Sequence, residues 1–176
     1  MEHNVIIIGG GQAGAMSAIG LRQHKYQGSI LLIAEEKYLP YQRPPLSKGY
    51  LVDQIKENNL YLKSASYYEK NDIQIIKNKT VSQINKGRKS VVLNNDTEYY
   101  YEKLVITSGS ILNTINTSCN QTNLHYLRTL DDSNKIKLIL NKKEDLVIIG
   151  AGYIGLEIAA AAVKRNLKVS IIEMEH

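Results

Sequence analysis

The chain has 176 residues, enough for one ordinary domain or for one and part of another. Hydrophobic residues make up 43% and charged residues 22%, which supports a buried core and is ordinary for a soluble globular protein. The formal charge of +5 comes from scattered Lys and Arg, so a solvated surface is expected rather than a nucleic-acid-binding stripe.

Val5-Ile6-Ile7-Ile8 is a continuous β-branched run, the pattern of a parallel strand covered on both faces. It enters Gly9-Gly10-Gly11-Gln12-Ala13-Gly14, and Gly11 to about His24 reads as a helix with Ala13, Ala15, Met16, Ala18, Ile19 and Leu21 on its apolar side. Ile30 to Ala34 is the next buried strand, which completes a βαβ unit of about 30 residues. Glu2, not a basic stretch, precedes the first strand, so no signal-peptide pattern is present. No run reaches the roughly 18 apolar residues of a membrane span. One cysteine, Cys119, cannot form an internal disulfide, and a reducing, cytoplasmic setting is expected.

All three prolines lie between Lys37 and Lys48, which makes this a shaped loop. Ser47 is expected to cap a short helix through Tyr50 and Leu51. A helix around Ser64 to Lys70 and a strand at Ile73 to Ile76 follow. Thr80 to Ile84, Ser90 to Leu93 and Glu98 to Tyr101 alternate as a small antiparallel β-meander, with turns at Lys86-Gly87-Arg88 and Asn94-Asn95-Asp96. Leu104 to Thr107 reads as a separate buried strand. Asn113 to Asn123 is a polar crossover, and Asp131 to Asn141 a helix.

A second unit then begins. Leu146-Val147-Ile148-Ile149 enters Gly150-Ala151-Gly152-Tyr153-Ile154-Gly155, followed by a helix to Lys164 and a strand from Lys168 to Glu173. The expected class is α/β: Rossmann-like βαβ units on a parallel sheet, a small meander, and a second Rossmann-like unit that is incomplete. The expected boundary separates residues 1–112 from 113–176.

Gly-x-Gly-x-x-Gly occurs twice, about 140 residues apart, each time between a strand and a helix. The first glycine permits a tight turn, the second lets a pyrophosphate approach the backbone, and the third lets helix and strand pack closely. Free N–H groups and the positive end of the helix dipole then face the phosphates. A carboxylate about 20 residues later accepts hydrogen bonds from a ribose. Glu35 holds that place in the first unit and Glu173 in the second. A carboxylate at Glu173 repels a 2′-phosphate and favours NADH over NADPH. Two such units suggest two nucleotide cofactors with electrons passing between them. Taken alone, Arg43 and Lys48 read as surface cations, Glu157 as a helix-surface acid and Arg128 as a loop charge. The histidines His3, His24, His125 and His176 form no ligand spacing, so no metal is expected.

Pro40-Tyr41-Gln42-Arg43-Pro44-Pro45-Leu46-Ser47-Lys48 resembles the signature of FAD-dependent ferredoxin and rubredoxin reductases that serve oxygenase systems. These are the putidaredoxin reductase-like members of the pyridine nucleotide-disulfide oxidoreductase superfamily. The resemblance spans essentially the whole chain. It includes Leu104-Val105-Ile106-Thr107-Ser108-Gly109-Ser110, where Ser108 replaces the usual middle residue of a flavoprotein Ala-Thr-Gly segment. It also includes Leu127-Arg128-Thr129-Leu130-Asp131-Asp132 and Gly150 to Glu157.

The resemblance implies an FAD-binding part at 1–112 and an incomplete NADH-binding part at 113–176. It implies Gly9, Gly11, Ala13 and Gly14 on the FAD pyrophosphate, Glu35 on its ribose, and Val81 on adenine through its backbone. Arg43, Thr107, Gly109 and Arg128 would complete the FAD pocket, with Lys48 at the flavin edge that accepts hydride. Gly150, Gly152, Tyr153, Ile154 and Gly155 would cradle NADH, with Glu157 near the nicotinamide amide and Glu173 on the ribose. The implied partner is a ferredoxin- or rubredoxin-type electron carrier. The redox cysteine pair of related disulfide reductases is missing after Glu35, so dithiol chemistry is not expected. Members of this family run to roughly twice this length. A catalytically silent nucleotide-binding fragment therefore stands as one alternative, and the flavin part of a nitrite reductase-like or apoptosis-inducing-factor-like system stands as another.

Overall fold

The structure, a computed structural model, describes residues 2–116, 123–142 and 145–174; Cys119 and His176 lie outside them. The chain divides into two compact units, Met1–Gln42 with Tyr61–Ser110 and Arg43–Leu60 with Ile111–His176.

The first unit is a six-stranded sheet built from β1 (Glu2–Ile8), β2 (Ile30–Ile33), β3 (Ile73–Ile76), β4 (Val81–Asn85), β5 (Ser90–Leu93) and β6 (Glu98–Ile106). Its order is β3-β2-β1-β6-β5-β4, parallel from β3 to β6 and antiparallel from β6 to β4. Helix α1 (Gln12–Gln23) links β1 to β2, and α2 (Ala65–Lys70) precedes β3. Ser64 caps α2 by accepting the Tyr67 N–H.

Strand alternation sorts the core onto two faces. Val5, Ile7, Ile30 and Leu32 pack with Ala18 and Ile19 of α1 and Tyr68 of α2. Ile6, Leu31 and Ile33 pack with Val91, Leu93 and Tyr99. The antiparallel arm thus supplies cover for the second face of the parallel strands. Double coverage is what the unbroken β-branched run at Val5 anticipates.

One expectation fails here. Leu104–Thr107 is not a separate strand, because β6 runs unbroken from Glu98 to Ile106. Its antiparallel pairing with β5 ends at Ser90↔Tyr100, and its parallel pairing with β1 begins at Glu2↔Tyr100. Glu102 and Lys103 look like a break in the sequence, but both are exposed and cost the strand nothing. Nor is the strand's end buried, since Ile106 is 61% exposed.

The second unit holds a 3₁₀ turn at Pro44–Ser47, helix α3 (Leu130–Lys142), strand β7 (Leu146–Ile149), helix α4 (Tyr153–Val163) and strand β8 (Val169–Ile172). Strands β7 and β8 pair in parallel. Leu51, Ile136, Leu140, Ala161, Ala162 and Leu167 form its core. The segment Arg43–Leu60 therefore contributes a fully buried leucine to this unit.

Ser47 does not cap a helix, which is a second correction. It is the last residue of the 3₁₀ turn, and Tyr50 and Leu51 lie in turns. Proline at the first positions fixes φ there. Short-range bonds from Leu46 N–H to Arg43 and from Lys48 N–H to Pro45 then close the turn. Among the described residues, no helix is long and apolar enough to cross a membrane.

Candidate functional site

The two glycine turns have the same geometry. Gly9 has φ +112° and Gly150 φ +99°, the left-handed region that disfavours side chains. A Cβ on Gly14 would fall 1.9 Å from the Gly9 carbonyl oxygen, and one on Gly155 2.2 Å from that of Gly150. The third glycine of each motif is thus required by contact with the first. The middle glycines, Gly11 and Gly152, are the N-caps of α1 and α4 and lack any side-chain cap bond. A Cβ on either would meet no heavy atom within 4 Å. Neither helix carries an acidic residue in its first turn. Both N-termini therefore open onto space at their middle glycines, with no acid of their own first turn to offset the helix dipole, an arrangement that fits a phosphate group. Ala13 lies in the first turn of α1, and Tyr153, 90% exposed, and Ile154 lie in that of α4.

Thr107 follows β6 and ties it to the first turn. Its N–H and its hydroxyl each reach the Ile8 carbonyl at 2.8 Å. Gly109, with φ +73°, lets the chain turn away. Val81 opens β4 and packs against the Ile6 cluster. Glu35 stands exposed just past β2. Glu173, just past β8, reaches back to its own glycine turn: its Oε2 accepts the Ala151 N–H at 2.5 Å and its Oε1 the Met174 N–H at 2.7 Å.

Within the second unit four residues singled out from the sequence meet in pairs. Arg43 Nη1 donates to the Arg128 carbonyl at 2.5 Å. Lys48 Nζ lies 3.2 Å from Glu157 Oε1. Ser47 Oγ donates to the other oxygen of Glu157 at 2.5 Å. The Ser47 hydroxyl is the main cause that holds the Glu157 carboxyl below the usual glutamate range; burial opposes it and Lys48 adds to it. Glu157 is therefore a paired, ionised acid and not an ordinary helix-surface charge.

Two contributors were not singled out from the sequence. Ser47 has no local signal, because its partner is 110 residues away. Asp132 was legible: Thr129-Leu130-Asp131-Asp132 is a capping-box spacing. Asp132 Oδ2 accepts the N–H groups of Thr129 and Arg128, and Thr129 Oγ1 accepts the Asp132 N–H. This reciprocal cap at the start of α3 sets the backbone of Arg128. Among the described residues, no group of three His, Cys, Asp or Glu could hold a metal ion.

Known proteins are similar to this chain in sequence and fold. The chain is 38% identical over 172 residues to a rubredoxin-NAD(+) reductase of Pseudomonas putida, covering 96% of this chain and 44% of that protein. Its fold matches the reductase of a covalent putidaredoxin reductase–putidaredoxin complex with TM-score 0.91 and 36% identity, over 96% of this chain and 42% of that one. It also matches NADH:rubredoxin oxidoreductase from Clostridium acetobutylicum with TM-score 0.87 and 33% identity, over 98% and 45%. The chain thus spans less than half the length of each. The model of the pyridine nucleotide-disulphide oxidoreductase family matches residues 3–176, and this chain belongs to that family.

Proposed function

We propose that the chain is the FAD- and NADH-binding part of a reductase that passes electrons from NADH through FAD to a ferredoxin- or rubredoxin-type protein. The observation that supports this most is the pair of glycine turns, each with a left-handed first glycine and an uncapped helix N-terminus opening onto space. The names of the relatives support the acceptor class.

In this reading residues 1–112 serve FAD and residues 113–176 serve NADH. Gly9, Gly11, Ala13 and Gly14 hold the FAD pyrophosphate through backbone N–H groups and the α1 dipole. Glu35 takes the adenosine ribose and Val81 the adenine, while Arg43, Thr107, Gly109 and Arg128 complete the pocket. Gly150, Gly152, Tyr153, Ile154 and Gly155 hold NADH, with Glu157 near the nicotinamide amide. Glu173 takes the ribose and disfavours a 2′-phosphate, so NADH is preferred to NADPH. When bound, the two cofactors supply hydride transfer from nicotinamide to flavin and onward release of single electrons. Lys48 contributes a positive charge for the electron-rich flavin and pairs with Glu157. The lone cysteine fits a cytoplasmic, reducing setting.

The purified protein is expected to be yellow and to reduce ferricyanide or dichloroindophenol with NADH. A folded, colourless protein that takes up no added FAD overturns the reading.

A further inference from the structure

Both oxygens of the Glu157 carboxylate are engaged by neighbouring residues of the proline segment. Ser47 Oγ donates to Oε2 at 2.5 Å, and Lys48 Nζ stands 3.2 Å from Oε1. The two contacts differ in stiffness. Lys48 carries its ammonium on a four-carbon stem, and its side chain is 56% exposed. A half-exposed ion pair of this kind does not fix a geometry by itself. Ser47 has one rotor and is only 6% exposed.

The backbone under Ser47 is also held. Pro44 and Pro45 restrain the 3₁₀ turn, and the Leu46 carbonyl accepts the buried Ser133 hydroxyl at 2.8 Å. The hydroxyl's other acceptor, the Pro44 carbonyl, is 3.5 Å away, too long to compete with the carboxylate. Of the two strands packed against α4, neither β7 nor β8 carries a charged side chain within its range. Lys48 is the charged group that faces Glu157 from the proline segment.

We propose that Ser47 is a positioning residue: it orients the Glu157 carboxylate, whose other oxygen then sets where the Lys48 ammonium stands. The consequence for catalysis rests on the reading of Lys48 as the cation that serves the flavin. Ser47 touches neither cofactor in this scheme and acts only through Glu157.

The test is a double-mutant cycle of Ser47→Ala and Glu157→Ala in the full chain, read in two ways. Without flavin, the ¹³C resonance of the Glu157 carboxyl and the ¹⁵N resonance of Lys48 Nζ are recorded. Ser47→Ala is expected to move both, and in the Glu157→Ala background the serine change is expected to leave Lys48 where it is. With FAD bound, Ser47→Ala is expected to slow flavin reduction by saturating NADH about tenfold, the effect of one charge-assisted hydrogen bond. It should add nothing in the Glu157→Ala background. Unmoved resonances in Ser47→Ala, or additive effects across the cycle, overturn the proposal. If the protein takes up no flavin, the functional reading fails while the resonances still decide the role of Ser47. If flavin is bound and reduced at the wild-type rate in Ser47→Ala, this inference fails and the functional reading stands.

Discussion

The carbonyl oxygen of Gly9 stands 1.9 Å from the point that a Cβ on Gly14 would occupy, whereas a Cβ on Gly11 would meet nothing within 4 Å. The two glycines therefore serve different ends, one for packing and one for access. Gly14→Ala is expected to lower stability by about 1–3 kcal/mol in urea unfolding, because backbone must move to admit the methyl. Gly11→Ala is expected to leave stability within about 0.5 kcal/mol of wild type and yet to weaken FAD binding. Equal urea midpoints for the two variants would refute this division.

Arg22, in the last turn of α1, joins two helix ends. Its guanidinium donates to the carbonyls of Asn71, Tyr26, Gly28 and Asp72 at 2.6 to 2.9 Å. Lysine cannot reproduce that planar fork. Arg22→Lys is expected to cost about 2 kcal/mol in urea unfolding, since carbonyls at the ends of α1 and α2 lose their donors. A variant as stable as wild type would show that water satisfies those carbonyls equally well.

Glu98 supplies a pH dependence. Ser90 Oγ donates to it at 2.6 Å and Tyr100 Oη at 3.0 Å, and Arg88 lies 3.3 Å away. The Ser90 bond, then the Tyr100 bond, hold its carboxyl below the ordinary value of 4.5, with Arg88 adding to them against burial. A carboxyl depressed in the folded state stabilises above its unfolded value and loses that stabilisation as pH falls through its folded value. Ser90→Ala is therefore expected to be less stable than wild type at neutral pH, with the difference shrinking as the solution is acidified below pH 4.5. Urea unfolding at a series of pH values measures this; a difference independent of pH contradicts it.

Glu173 is already seated on the Ala151 N–H of the second glycine turn. On the reading proposed above, Glu173→Gln removes the charge that repels a 2′-phosphate while keeping a group of the same shape. The ratio of NADH to NADPH efficiency is expected to fall, by about tenfold if the charge contributes about 1.4 kcal/mol. An unchanged ratio would move cofactor selection elsewhere.

Both glycine turns were legible in the sequence because their cause is local. An apolar run ends, the backbone must turn into a helix, and only glycine tolerates φ values such as those at Gly9 and Gly150. The proline segment was legible as irregular for the same reason. The internal form of that segment was not: whether Ser47 starts a helix or ends a 3₁₀ turn depends on Ser133 and Glu157, which hold it from far along the chain. The continuity of β6 was equally hidden. A strand that changes partners at Tyr100 shows no single alternation, and Glu102-Lys103 breaks the apolar pattern where exposure, not the end of the strand, is the cause. The Lys48–Glu157 pair was anticipated only as two separate residues, since no spacing relates a loop cation to an acid on α4.

The sharing of Tyr100 between two ladders has a consequence for motion. Separating β5 from the sheet exposes the same strand that carries the pairing with β1, so local opening on one side weakens the other. Amide hydrogens of β5 and of β1 are expected to exchange with solvent through one common opening, with equal protection and equal denaturant dependence. The turn at Gly9 is fastened to the end of β6 through Thr107, so the same opening is expected to release it as well.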